Sequence, residues 1–392
     1  MLDLASVGPA ARASRWLADY GATVVKVGPV PAKGAAQITP PFFAYSAHRG
    51  MQRILLDLKA PEGLDALCRL ASHADVLIES FRPGVMARLG AGPEQLRAIN
   101  PRLVYCSTTG YGQSGPQSGW AGHDLNYLAA TGFLDCSGRG AIGGAGGRGT
   151  GGDLGAGQPP IPGATVADSA GGGMHAVMSI LAALVARATT GEGAYLDVSV
   201  AEGVLALMAL QIDEYLATGV VPGPGHGLLT GRYACYDTYQ AADGKWISVA
   251  AIEPRFWANL CRLLDLDRWV DHQTDDSVQD QVRADVAAAL ARRPRDEWVD
   301  LLAPADTCVA AVRSVPEVVD DPQFAARGAF VKAEHPVRGA FPQVGPTLAG
   351  TRRADAPYPV READVSDADV LLVAAGLSSD TVAQLRQKGV VS

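Results

Sequence analysis

Three short stretches of the chain set a titratable side chain among small or apolar neighbours: Ala121-Gly122-His123-Asp124, Ala167-Asp168-Ser169-Ala170-Gly171-Gly172-Gly173, and Ala250-Ala251-Ile252-Glu253-Pro254. Such surroundings shift a pKa and admit a close substrate, as a general acid or base requires. Each side chain also has an ordinary structural role open to it. His123 suits a structural histidine held by Asp124, Asp168 a helix N-cap carboxylate, and Glu253 the cap of a helix opened by Pro254. The glycines after Asp168 favour chemistry there, because a glycine-rich helix start lets a ligand approach backbone N–H groups at the positive end of the dipole. A carboxylate at that place serves equally as general base or as nucleophile, and the residues leave the choice open.

The elements that must position these groups read as alternating strands and helices. The pattern predicts a strand over Leu2 to Leu4, a helix over Ala10 to Tyr20 and a strand over Thr23 to Val27. It then predicts a strand over Ile54 to Leu58, a helix over Pro61 to Ser72, a strand over Asp75 to Ile78, a helix from near Pro83 and a strand over Leu103 to Ser107. Such alternation implies an α/β fold with a mainly parallel sheet covered by helices on both faces. The run GGGMHAVMSILAALVARA from Gly171 is apolar almost all round, which predicts a helix buried in the middle of the fold. A strand over Tyr195 to Ser199 and a helix over Val204 to Leu216 follow. Ala242-Asp243-Gly244-Lys245 between two alternating runs marks a hairpin. Helices over Arg255 to Leu264, Asp280 to Ala291 and Arg295 to Leu302, and a last one over Ser379 to Lys388, complete the pattern. We expect a large domain from residues 1–205 and 322–392 and a small one from 206–321. Residues 137–158, about half glycine, read as a flexible surface insertion; no apolar strand leads into them and no Gly-Lys-Ser/Thr follows, which excludes a P-loop.

Composition narrows the partners. The 392 residues are 48% apolar and carry a net charge of −8. Charges are mixed along the chain with no basic stripe, so nucleic acid is not expected as a partner, and a phosphorylated ligand would need a local cluster of Arg and Lys. The six cysteines lie far apart, without the close pairs of a zinc site or the density of a disulfide scaffold. Asp3 stands where a secretion signal would carry basic residues, and no apolar run reads as long enough to span a bilayer; a cytoplasmic protein with no membrane partner is expected.

Taken in order, the motifs resemble the family III CoA-transferases (CaiB/BaiF), and within them the α-methylacyl-CoA racemase branch. The resemblance covers nearly the whole chain. It rests on Leu17-Ala18-Asp19-Tyr20-Gly21-Ala22, His48-Arg49-Gly50 with Leu56-Asp57-Leu58-Lys59, and Ile78-Glu79-Ser80-Phe81-Arg82-Pro83-Gly84. Thr109 to Pro116, Gly122-His123-Asp124-Leu125-Asn126-Tyr127, Asp168, Gly191-Glu192-Gly193 and Ala251-Ile252-Glu253-Pro254 complete the set. It implies a large Rossmann-like domain plus a smaller α/β domain in an interlocked homodimer. It also implies an acyl-CoA thioester as substrate, CoA arriving with it, and no metal or redox cofactor. By the same resemblance Asp168 is the nucleophile of the transferases or a proton carrier of the racemases, and His123 supported by Glu253 is the racemases' second acid/base group. The expected activity is therefore interconversion of (2R)- and (2S)-2-methylacyl-CoA through an enolate, with CoA transfer between carboxylic acids through an Asp168 acyl-enzyme as the alternative. Arg49, Lys59 and Arg82 are expected at the CoA phosphates, and Leu56 and Leu58 beside the adenine. Gly122 is expected at the substrate, with backbone donors near His123 and Asp168 serving the enolate oxygen. The chain departs from the family pattern in its short start, in Val27-Gly28, in the glycine-rich insertion and in Ser169-Ala170.

Overall fold

The computed structural model describes residues 1–5, 7–31, 41–138, 158–362 and 365–392. Most of the glycine-rich stretch expected as an insertion, residues 139–157, lies outside the described residues. The chain forms two compact units. Unit 1 is Met1–Thr131, Gly163–Leu207 and Pro322–Ser392, and unit 2 is Gly132–Pro162 and Met208–Asp321. The expected boundary at 205/206 moves to 207/208, and residues 132–162 group with unit 2 rather than with the large domain. Two local causes are visible. The helix from Val200 runs through Leu207, and the chain leaves unit 1 at Gly132, whose φ of +80° ends the preceding helix.

Unit 1 begins with β1 (Leu2–Asp3), α1 (Gly8–Asp19), β2 (Val25–Gly28), β3 (Gln52–Leu55), α2 (Pro61–Ser72), β4 (Val76–Glu79), α3 (Val85–Leu89), α4 (Pro93–Ile99), β5 (Val104–Thr109) and α5 (Asp124–Ala130). It continues through a π-helical turn (Ala167–Met174), α6 (His175–Thr190), β6 (Tyr195–Ser199) and α7 (Val200–Leu207). Unit 2 holds α8 (Ala209–Thr218), β7 (Tyr236–Gln240), β8 (Trp246–Ala250), α9 (Pro254–Leu263), α10 (Gln279–Leu290), α11 (Arg295–Leu302), β9 (Val309–Ala311) and α12 (Val315–Val319). The chain returns to unit 1 with α13 (Pro322–Ala326), β10 (Phe330–His335), β11 (Gly339–Val344), β12 (Tyr358–Pro359), α14 (Ala368–Ala374) and α15 (Ser379–Gln387).

Six parallel strands in the order β3-β2-β1-β4-β5-β6 form the main sheet of unit 1. The order reverses between β1 and β4, and in open α/β sheets ligands bind beyond the strand C-termini at such a point. Alternation along the strands divides the core in two. Leu77 and Tyr105 join Leu67, Leu96, Leu372 and Leu385 from α2, α4, α14 and α15, whereas Val76, Ile78, Val104 and Cys106 join Ala10, Leu17, Val177 and Ile180 from α1 and α6. β3 ends at Leu55 rather than Leu58 because the C-terminal tail takes over its backbone. The Leu55 N–H donates to Ser392 O and the Asp57 N–H to Val390 O, and Leu56 bridges Val391.

Unit 2 packs the antiparallel sheet β7-β8-β9 against α9, α10 and α11 around Trp257, Trp269 and Trp298. The indoles of Trp257 and Trp298 donate to Trp269 O at 2.9 Å and Leu290 O at 2.8 Å, so neither ring buries an orphan N–H. The expected hairpin is present, with Tyr236 opposite Ala250 and Gln240 opposite Trp246. The helix expected over Val204 to Leu216 is two helices, α7 and α8, that break at Met208.

Two expectations about α6 are corrected. It is not buried all round: Ala176, Val177 and Ile180 face the core, but Met178 and Val185 on the opposite side are 64% and 72% exposed. Nor is the chain without an apolar run of membrane-spanning length. The π-helical turn joins α6 without a break, giving one helix, Ala167–Thr190, of 24 residues that meets the length and composition of a span.

Candidate active site

His123 and Asp168 lie in unit 1, and both follow β5 in the chain. His123 stands at the N-cap of α5 with extended backbone. Its N–H donates to Asn126 Oδ1 at 3.0 Å, and its imidazole is exposed. Asp124, the next residue, does not hold His123. Its Oδ1 accepts the backbone N–H of Asp168 at 2.8 Å, tying the start of α5 to the π-helical turn. Asp168 is the second residue of that turn, and π-turns recur at functional sites. Its carboxyl is half-buried and its pKa is raised, first by burial, and also by the Asp124 charge, against which Arg12 and His123 pull it down. His123 and Asp168 thus lie within electrostatic reach of each other.

The glycines after Asp168 do other work than the sequence suggested. All three are buried. A Cβ on Gly171 would lie 2.8 Å from Val200 O, one on Gly172 2.6 Å from Pro9 Cβ, and one on Gly173 2.8 Å from Trp16 Cζ3. They let the turn's backbone pack against α1 side chains and against the backbone of α7 rather than opening it to a ligand, and Gly203 meets Gly171 O in the same way. Furthermore, the N–H groups of His123 and Asp168 already have acceptors, so the expected enolate donors are not these two.

Gly122 also has a packing role. A Cβ there would sit 2.7 Å from the Tyr127 ring, and its carbonyl accepts the Tyr127 hydroxyl at 2.6 Å. Burial and the nearby Asp168 charge push the Tyr127 hydroxyl up to about 12, so it stays neutral through ordinary pH. Tyr111 packs edge-on against it with ring centroids 5.2 Å apart.

The expected CoA residues separate into two groups. Lys59 and Arg82 are exposed, Arg82 just beyond the C-terminal end of β4. The Glu79 carboxylate shapes that end by accepting the Phe81 N–H at 2.7 Å. Leu58 is half-buried. Arg49, however, is 1% exposed, and its guanidinium is a structural tie. It donates to Val344 O at 2.9 Å and Gln343 Oε1 at 3.2 Å, pairs with Asp19 at 3.4 Å and lies 4.8 Å over the Tyr358 ring. Burial lowers its pKa, the signature of a desolvated cation rather than one turned to a phosphate in water. Arg49 is therefore withdrawn from the phosphate set. The Leu56 N–H is likewise committed, to Gly28 O at 2.8 Å, with its side chain in the core. We expect Arg82→Ala to raise KM for an acyl-CoA about tenfold with little change in kcat, the loss of roughly one charge-assisted hydrogen bond. Arg49→Ala should instead lower the melting temperature. Equal KM effects would show that the distinction drawn between these arginines is wrong.

Glu253 lies in unit 2, at the N-cap of α9 with Pro254 at N1. It occupies the cap position expected of it, but its side chain makes no capping bond and is exposed. Asp124, Arg12 and Tyr127 were missed as site residues. Asp124 had a signal, a carboxylate in the first turn beside a candidate base. Arg12 had none, since its hydrogen-bond partners lie more than 150 residues away.

A half-buried carboxyl within electrostatic reach of an imidazole, on a parallel α/β sheet unit, can move a proton or take an acyl group. Residues 1–363 match the model of CoA-transferase family III. The chain belongs to this family and is an enzyme of it. It is 33% identical to an alpha-methylacyl-CoA racemase of Homo sapiens over 354 residues, 90% of this chain and 86% of that protein. It is also 30% identical to an acetyl-CoA:oxalate CoA-transferase of Acetobacter aceti, over 81% of this chain and 80% of that one. Among solved structures, a CAIB/BAIF family protein from Brucella suis is similar with a TM-score of 0.72 at 26% identity, covering 99% of this chain and 97% of that one.

Proposed function

We propose that this enzyme is a 2-methylacyl-CoA racemase that takes the α-proton from one face of the substrate and returns a proton to the other. The observation that carries this reading is the pairing of Asp168 with His123 in one unit, within electrostatic reach of each other, with the carboxyl pKa raised by burial. In one direction the Asp168 carboxylate removes the proton, the C–H electrons pass into the enolate, and protonated His123 delivers its proton to the opposite face. In the other direction neutral His123 is the base and protonated Asp168 the acid. Both start states hold one proton on the pair, so one enzyme form, differing only in where the proton sits, serves both epimers. Lys59 and Arg82 hold the CoA phosphates in this reading. CoA enters as part of the substrate, and no metal or redox group is required.

The apolar outer side of α6, with Met178 and Val185, favours a homodimer, since such a face is rarely left to water. Sedimentation should give twice the chain mass, and Met178→Glu with Val185→Glu should give a monomer. A wild-type monomer would remove the homodimer from the account.

CoA transfer is the second reading, favoured by Asp168 being a partly desolvated carboxylate able to form a mixed anhydride. A single epimer of a 2-methylacyl-CoA, incubated without any carboxylic acid, separates the two. Racemase action yields both epimers in about equal amounts, because the two are nearly isoenergetic. A substrate that stays a single epimer, and loses CoA only when an acid is added, would establish the transferase.

A further inference from the structure

Arg12 of α1 reaches across to the two residues that bracket Asp168. Its Nε donates to Ser169 Oγ at 3.1 Å and its Nη2 to Thr165 Oγ1 at 2.7 Å, while its guanidinium lies 5.2 Å over the ring of Tyr45. The Tyr45 hydroxyl in turn accepts the N–H of Gly8 at 2.7 Å, at the start of α1. Tyr45 belongs to an unusual segment. Four successive non-glycine residues, Tyr45, Ser46, Ala47 and His48, have φ of +51°, +53°, +56° and +48°. L-residues avoid this region, and a run of them persists only where surrounding contacts over-determine it, most often beside a functional site. The strained segment, α1 and the π-helical turn therefore converge on one guanidinium.

We propose that Arg12 is a positioning residue for Asp168: its fork across Thr165 and Ser169 fixes the turn and holds a positive charge beside the carboxyl. The proposal rests on Asp168 being the reacting carboxyl, in either proton or acyl transfer. The charged groups acting on Asp168 are Arg12 from α1 and Asp124 and His123 from α5. Tyr127 of α5 is neutral, and α7 meets the turn with Val200 and Val204. Arg12 is thus the permanent cation set against both burial and the Asp124 charge, which push the Asp168 proton on.

The test compares Arg12→Gln and Arg12→Lys with the wild-type enzyme in two measurements. One is the pH profile of kcat/KM. The other is pH-dependent modification of Asp168 by a carbodiimide with glycinamide, read by peptide mass spectrometry and independent of turnover. Arg12→Gln should move the acid limb and the labelling midpoint up by about one pH unit, as loss of a neighbouring cation requires. Arg12→Lys should hold both within about a third of a unit yet lose kcat about tenfold, because an ammonium cannot reproduce the fork. Lost kcat with unmoved midpoints in Arg12→Gln would overturn the proposal, since a merely structural residue gives that result. Should Arg12→Gln not fold, Thr165→Val with Ser169→Ala frees the guanidinium while keeping it. A midpoint raised by about half a unit then supports the proposal and an unmoved one overturns it. Should wild-type enzyme show neither racemisation nor CoA transfer while the labelling midpoint still shifts, the function proposed above fails and the role of Arg12 stands.

Discussion

On the racemase reading, Asp168→Asn is expected to lower racemisation of a 2-methylacyl-CoA by about two to four powers of ten, the usual contribution of a positioned proton carrier. The substitution keeps the size of the side chain and leaves the backbone N–H that Asp124 holds, so the turn is retained and the loss reports on the carboxyl itself. The pH dependence follows from the direction of the shift. Burial raises the pKa of Asp168, and the proposed two-base cycle requires the pair to carry one proton rather than two. As pH falls, the second proton is taken up at a pKa raised above that of a free aspartate, and the rate is expected to decline from there. A wild-type acid limb at or below the value of a free aspartate would contradict this account. The limb belongs to the coupled pair and not to Asp168 alone.

The second large effect is on stereochemistry. His123→Ala should abolish racemisation to a similar extent, about a hundredfold or more. It should nevertheless leave α-proton exchange of one epimer, the one whose proton faces Asp168, with configuration retained. The remaining carboxyl can still remove a proton and, after exchange with solvent, return one from the same side. Chiral chromatography combined with mass spectrometry of that epimer measures both outcomes together. If the His123→Ala enzyme racemises at the wild-type rate, the imidazole is not a proton carrier, and the acyl-transfer reading gains.

Elements whose patterns are local were legible in the sequence. The helix Pro61–Ser72 and the strand Tyr195–Ser199 lie where apolar periodicity and their flanking residues put them, and the hairpin turn at Ala242 to Lys245 follows from its own turn chemistry. What was not legible depends on partners far along the chain. The tail from Val390 to Ser392 pairs beside β3 and shortens it, although nothing near residue 56 announces that partner. Arg49 read as a phosphate ligand because an isolated arginine in a motif looks alike in either role; only the folded chain brings Asp19, Gln343, Val344 and Tyr358 around it.

The site was half legible for the same reason. His123 and Asp168 could be picked out as candidate acids and bases by their small neighbours, and the fold joins them through Asp124. The glycines beside Asp168 were read as room for a ligand, whereas they are room for α1 and α7. Both uses demand the absence of a Cβ, so residue type alone does not separate them. The apolar outer side of α6 misled in a related way. A helix apolar all round signals burial, but the signal does not say whether the chain's own core provides it.

The measurement that bears most directly on the central claim is incubation of one epimer of a 2-methylacyl-CoA with wild-type enzyme in deuterium oxide, without any carboxylic acid acceptor. Two-base racemisation predicts deuterium at the α-carbon of the newly formed epimer from the first turnovers, and loss of that product in both Asp168→Asn and His123→Ala. Unlabelled, unconverted substrate, or deuterium entering undiminished in both variants, would contradict it.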